Sequence, residues 1–357
     1  MLNFTVGPVM SSEDVLCQGG QSSPYFRTEE FSNIMFENEE LMLEYLNAPK
    51  ESECVFLTTS GTGAMESVVM NVLNESDKVL VINGGTFGKR FLDLCILHKC
   101  NCTEIKVEFG KQIKEEQLKE YKNKGYTALL VNMHETSSGS LYDMELISNF
   151  CKENNILLII DAISSFIADE IDMSKLGAAV VLTGSQKALA VHPGISIVVL
   201  STEAIKRVED NQEKCMYLSL KEALANSKRG QTPFTPAVTT LLEINVRLKD
   251  IKKMGGIEKE RSLIKERALR FRKFISEYPF ELVPENMSNA VTCLYSKKIK
   301  ATELIDIMKK EYGIWLCPNG GELKEKVLRV GHIGDIKKEN MLTLENAFID
   351  LKRKGII

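Results

Sequence analysis

A lysine stands just past an apolar run: Thr183-Gly184-Ser185-Gln186-Lys187-Ala188-Leu189 follows Ala178-Ala179-Val180-Val181-Leu182, which reads as a buried strand. Upstream, a second apolar run from Ile156 to Ile160 ends in Asp161. One amine and one carboxylate at the carboxyl ends of neighbouring strands suit the chemistry of pyridoxal phosphate (PLP). The amine can form a Schiff base with the aldehyde, and the carboxylate can keep the pyridine nitrogen protonated so that the ring accepts electrons. Taken singly, the lysine also fits a solvated surface charge and the aspartate a helix cap.

Three further stretches follow strand-like runs. Thr59-Ser60-Gly61-Thr62-Gly63-Ala64-Met65-Glu66 opens a helix, and its glycines would let backbone amides approach an anion at the positive end of the helix dipole. A plain strand-to-helix turn capped by Ser60 or Thr62 accounts for the same residues. The final lysine of a nucleotide P-loop is missing. Asn83-Gly84-Gly85-Thr86-Phe87-Gly88-Lys89-Arg90 offers an aromatic ring that could lie on a heterocycle, or pack in the core. Met133-His134-Glu135-Thr136-Ser137-Ser138-Gly139 offers hydroxyls for a phenolic oxygen or a phosphate, or a polar loop bonded to itself. No catalytic role falls to His134, because PLP enzymes usually move protons with the released lysine. The agreement of these sites outweighs any one of them.

The elements that must position them alternate. Strands are expected at Val55 to Thr59, Lys78 to Asn83, Ala128 to Asn132, Leu157 to Ile160, Ala179 to Thr183 and Ile195 to Leu200. Helices follow, one with Met65, Val68, Val69, Val72 and Leu73 on one face and another around Lys89 to His98. The pattern predicts an α/β fold with a mostly parallel sheet covered on both faces, with ligands beyond the carboxyl ends of its strands. After Thr235 a long helical segment runs from about Ala237 to Ser276, with a break at Gly255-Gly256. A smaller α+β part follows, with strands at Val291 to Tyr295 and Val327 to Val330 and helices at Thr302 to Tyr312 and Glu339 to Lys352. The expected division is 1–240 for an N-terminal segment with the large cofactor-binding domain, and 241–357 for the connecting helix with the small domain.

At 357 residues the chain can bury two cores, and its net charge of −4 gives no basic footprint for nucleic acid. Nine cysteines lie scattered without metal spacing, which reads as reduced thiols in a cytoplasmic protein and no metal site. No signal peptide and no bilayer-length apolar run is visible.

Together these motifs resemble the class V PLP-dependent aminotransferases of fold type I, in particular the alanine–glyoxylate, serine–pyruvate and 2-aminoethylphosphonate–pyruvate transaminase branch. The matching stretches are Gly7-Pro8, Ser60 to Glu66, Glu135 to Gly139, Asp161-Ala162-Ile163-Ser164-Ser165, Gly184 to Leu189, Phe234-Thr235-Pro236, and Gly320 to Lys324 continuing to Arg329-Val330-Gly331-His332-Ile333-Gly334. The resemblance implies that Lys187 carries the cofactor and that Asp161 pairs with its ring nitrogen. It implies that Ser60, Gly61 and Thr62, helped by Gln186, hold the phosphate, and that Phe87 stacks on the ring. Thr136 or Ser137 would approach the ring oxygen. Thr235 would reach the phosphate in the neighbouring subunit of a homodimer with shared active sites, and Arg329 would grip the substrate carboxylate. Many relatives carry a histidine–arginine pair where this chain reads Phe26-Arg27, a region that lines their substrate side; Arg27 is a second anion contact or a structural residue. The implied reaction is transamination between a small donor, alanine or serine, and pyruvate or glyoxylate. 2-Aminoethylphosphonate is the alternative donor. A cysteine desulfurase-like lyase is a remote alternative for which Cys317 would be the thiol.

Overall fold

Leu157–Asp161 shows why the apolar runs become strands. Leu158 and Ile160 pack into one hydrophobic cluster, while Leu157 and Ile159 pack into another on the opposite face. Side chains alternate across a strand, so a run apolar at every position needs cover on both sides. The computed structural model describes all 357 residues. Its main sheet has seven strands, in the order Glu53–Leu57, Ser196–Leu200, Ala178–Gly184, Leu157–Asp161, Ala128–Asn132, Lys78–Asn83 and Asn101–Lys106. The sheet is parallel from Ala178–Gly184 to Asn101–Lys106, and only Ser196–Leu200 runs antiparallel to its neighbours. The short connection from Ser185 to Ile195 is the reason, since a parallel return needs a longer crossover. Lys187 lies in that connection, at the carboxyl edge of the sheet.

The helix expected around Lys89 begins earlier and spans Thr86–Leu97. Its extra turn is stabilised by a buried carboxylate from another loop: Glu135 accepts from the amides of Phe87 at 3.1 Å and Gly88 at 2.9 Å. Such a charge-assisted cap leaves no pattern in the local sequence. Other elements were not anticipated, among them the helix Glu29–Tyr45, whose start is capped by Thr28, and the edge strand Asn101–Lys106.

The second sheet has five strands, in the order Leu2–Phe4, Ile314–Pro318, Val327–Gly331, Val291–Ser296 and Phe280–Leu282. Here the division at residue 240 needs a correction. The extreme N-terminus pairs in parallel with Ile314–Leu316, and the ring of Phe4 is fully buried among the apolar residues of this sheet. A three-residue strand gives no periodic signal, so its partner is set by tertiary contact alone. Between the sheets run the helices Val238–Lys253 and Ile257–Ile275. They break at Gly255 and Gly256, whose φ values of 111° and 84° are costly for any other residue.

Arg247 on the first of these helices donates to Glu260 on the second at 2.6 Å and to the carbonyl of Leu189 at 3.2 Å. It therefore ties the connecting helices to the Lys187 turn. Both partners of the ion pair are buried. Arg247→Ala would strand the Glu260 carboxylate and should lower unfolding stability by about 3–5 kcal/mol. Urea denaturation at neutral pH measures this.

Candidate active site

The Lys187 turn follows Gly184, where the sheet ends. Its Nζ donates to the carbonyl of Val6 at 2.6 Å, and a Cβ on Gly7 would come within 2.6 Å of the lysine side chain. Gly7 also has φ +119°, so the N-terminal segment can lie on the lysine only with glycine at that position. Burial lowers the Lys187 ammonium to about 8; Arg329 and Arg90 add to the shift, while Cys317 and Asp161 oppose it. About a tenth of the amine is therefore neutral and nucleophilic at pH 7, far more than for an ordinary lysine.

Asp161 ends the adjacent strand. It accepts from the Asn132 side-chain amide and from the Ile163 backbone amide at 2.7 Å, and Asn132 is its register partner on the next strand. No cationic side chain is hydrogen-bonded to it. Burial raises its carboxyl to about 7, against the two hydrogen bonds that lower it. A buried carboxylate of this kind gains most from a cationic N–H donor, such as the protonated ring nitrogen of PLP.

Three strands away in the sheet, Ser60 precedes the helix Gly61–Val72, and its side chain makes no capping bond. First-turn amides have no acceptor within a helix, so this end can receive an anion. The glycines permit close packing: a Cβ on Gly61 would meet Ile163 at 2.3 Å, and one on Gly63 would meet Thr59 at 1.9 Å. Phe87 lies half-buried on the first turn of Thr86–Leu97. Arg90 stacks over its ring at 4.8 Å and donates to Thr62 Oγ1 at 2.9 Å.

The loop from His134 to Gly139 is held from within. Ser137 Oγ donates to Glu135 at 2.5 Å and accepts from the Thr86 amide at 3.2 Å. Thr136 Oγ1 pairs with Ser164 Oγ at 2.6 Å. His134 Nδ1 faces the Ser164 carbonyl at 3.3 Å, which can only accept, so the proton sits on Nδ1. Burial drops the imidazole to about 3, so His134 is neutral and Nε2 is left as a buried acceptor without a partner.

From the second sheet, Arg329 donates to the carbonyls of Thr136 at 3.0 Å and Pro318 at 2.6 Å. These bonds use two of the five N–H groups of a guanidinium, and Nε is buried without a partner. Asn319 donates to the Ser137 carbonyl at 3.0 Å, and Cys317 pairs in register with Arg329.

The fold thus gathers Ser60, Gly61, Thr62, Phe87, Thr136, Ser137, Asp161, Gln186 and Lys187 at one sheet edge, with Arg329 bonded to that edge. No hydrogen bond joins Arg27 or Thr235 to this group. Arg27 donates to Gln231 Oε1 and to the carbonyls of Thr232 and Pro233 while lying over the Phe26 ring, and Thr235 is exposed on the loop that follows. Sequence reasoning missed Asn132, Glu135 and Arg90. Asn132 and Arg90 carried weak signals, as the last residue of a strand and as the residue three after Phe87 on its helix. A lysine, a buried carboxylate without a cation, a glycine-cornered helix start and an aromatic ring together fit PLP.

Comparison with known proteins agrees. The family described as aminotransferase class V matches residues 17–321. An uncharacterised aminotransferase of Methanocaldococcus jannaschii is 30% identical, with 98% of this chain and 92% of that protein covered. A protein of Anabaena cylindrica named as the 42 kDa subunit of a soluble hydrogenase is also 30% identical, over 94% of this chain and 89% of its own. The serine–glyoxylate aminotransferase of Arabidopsis thaliana is 23% identical over 95% and 87%. Among solved structures, an aspartate aminotransferase from Thermus thermophilus superposes with a TM-score of 0.92, at 25% identity and 99% coverage of each chain. The fold is that of the PLP-dependent aminotransferases. The chain belongs to the class V aminotransferase family, enzymes that act with pyridoxal phosphate on amino and oxo-acid substrates.

Two outcomes are expected for the cofactor-free protein. Uptake of PLP, followed by visible absorbance, should accelerate as pH rises through about 8, where Lys187 loses its proton. Asp161→Asn should stabilise that protein above about pH 7. The native carboxyl keeps its proton up to about 7, whereas an unfolded one loses it near about 4. Wild-type stability therefore falls across that window and the amide variant escapes the loss, while below it the pair should converge. Urea midpoints measured from pH 4 to 8 read the difference.

Proposed function

We propose that this enzyme transfers an amino group from a small α-amino acid, alanine or serine, to pyruvate or glyoxylate in a ping-pong cycle, with Lys187 and Asp161 as its catalytic residues. The observation that carries this reading is Lys187 at the carboxyl edge of the sheet, its Nζ 2.6 Å from the Val6 carbonyl and its ammonium lowered by burial to about 8. When bound, PLP supplies an aldehyde and an electron-accepting ring. Lys187 Nζ then takes the proton from the substrate Cα and returns it in the reverse half-reaction. Asp161 holds the proton on the ring nitrogen. Ser60, Gly61, Thr62 and Gln186 bind the phosphate, and Phe87 covers the ring face.

Between the two hydroxyls, Thr136 is the better contact for the ring oxygen. The Ser137 hydrogen is committed to a carboxylate, whereas Thr136 donates to the neutral Ser164 hydroxyl, a weaker acceptor that it can exchange for the ring oxygen. Exposed Thr235 suits a residue that crosses to the cofactor phosphate of a second subunit in a homodimer. The nine cysteines are all free, which accords with a reducing compartment such as the cytoplasm. No helix is long and apolar enough to cross a membrane.

Arg329 binds the substrate carboxylate in both half-reactions. A phosphonate donor needs further cations for its second charge, and the Arg27 guanidinium is already taken by Gln231, Thr232 and Pro233. This favours the amino-acid donor and a structural role for Arg27. The lyase reading lacks support: Cys317 lies within the strand Ile314–Pro318, and Phe87 takes the ring position where desulfurases typically place a histidine.

Coupled assays over alanine, serine and 2-aminoethylphosphonate, with pyruvate and glyoxylate as acceptors, test the assignment. Conversion by the phosphonate with none by alanine or serine would overturn it. Arg329→Ala should lower kcat/KM for the oxo acid by about 30- to 1000-fold and leave PLP affinity unchanged.

A further inference from the structure

Arg90 has no part in the scheme above, although it joins two of its components. It lies one helical turn after Phe87, on the helix Thr86–Leu97. Its guanidinium stacks at 4.8 Å from the Phe87 ring centroid, which fixes its plane. From that platform Nη1 reaches Thr62 Oγ1 at 2.9 Å, on the helix start of another strand–helix unit. No other charged side chain is hydrogen-bonded to residues 59–63.

The chemistry of this bond has a direction. Arginine has five N–H donors and no acceptor, so Thr62 must accept. The threonine hydrogen is then left free, and an anion at the helix start is the natural recipient. The charge also reaches the catalytic side of the site, since Arg90 is among the groups that lower the Lys187 ammonium. A guanidinium is suited to this task because it can stack and donate in one plane, which an ammonium cannot do.

We infer that Arg90 is the positioning residue of the phosphate subsite: it turns the Thr62 hydroxyl hydrogen toward the cofactor phosphate and adds a positive charge that the helix start alone lacks. This rests on the PLP site proposed above and deepens it. It predicts that Arg90 governs how strongly the protein prefers the phosphate ester of the cofactor to the phosphate-free aldehyde.

The test titrates cofactor-free protein with PLP and, separately, with pyridoxal, reading the visible absorbance of the bound form. Arg90→Met should raise the Kd for PLP by about 10- to 100-fold and change that for pyridoxal by less than about threefold. Arg90→Lys should restore only part of the preference, because it keeps the charge without the planar fork. Thr62→Val should weaken PLP binding as well, and Arg90→Met combined with Thr62→Val should be less than additive, as expected when one residue acts through the other. Equal weakening of both ligands, with a fall in melting temperature, would mark Arg90 as merely structural and overturn the inference. Unchanged preference in Arg90→Met would overturn it while leaving the aminotransferase assignment intact. A wild-type protein that binds neither ligand would overturn both.

Discussion

The structure depends on a carboxylate buried with no cation hydrogen-bonded to it. Asp161 lies at the end of a central strand, bonded only to an amide side chain and a backbone amide, and its carboxyl is raised to about 7. Desolvation of that charge works against folding. The charge gains most from a cationic N–H donor. The protein thus holds an uncompensated acid at the carboxyl edge of its main sheet. The neighbouring Lys187 is displaced in the opposite sense, toward its neutral form, by the same burial. Low dielectric moves an acid up and an amine down, so burial shifts both groups toward their neutral forms.

A second buried carboxylate is fully satisfied and does structural work. Glu135 accepts from the Phe87, Gly88 and Ser137 amides and from the Ser137 hydroxyl. It locks the start of the Phe87 helix to the loop that carries Thr136. The same loop offers its carbonyls to Arg329 and Asn319 from the smaller sheet. The Phe87 helix, the hydroxyl loop and Arg329 are therefore one hydrogen-bonded assembly built from separate parts of the chain.

The two sheets are also joined away from the site. Asp169 of the larger part accepts from the Ser288 hydroxyl and from the Asn289 amide at 2.9 Å, while Arg272 donates to the Ser288 and Val291 carbonyls. These contacts hold the segment that leads into Val291–Ser296, the strand beside Arg329. The arginine is thus located by the docking of the smaller sheet as well as by its own strand.

The sequence by itself determined the sheet and the place of Asp161 and Lys187 at its carboxyl edge. Strands apolar at every position, such as Leu157 to Ile160, announce burial on both faces, and Asp161 and Lys187 follow such runs directly. The glycines after Thr59 and the break at Gly255-Gly256 were legible for the same reason: local backbone geometry imposes local composition. Tertiary structure decided what depends on distant partners. Leu2–Phe4 is too short to signal a strand, and it acquires one from Ile314–Leu316. The Phe87 helix gains its first turn from Glu135, and Arg27 finds its acceptors at residues 231–233. Arg90 and Thr62 meet only when two strand–helix units pack side by side. Periodicity records which face of an element is buried, but it carries no record of which buried or half-buried polar group another element supplies.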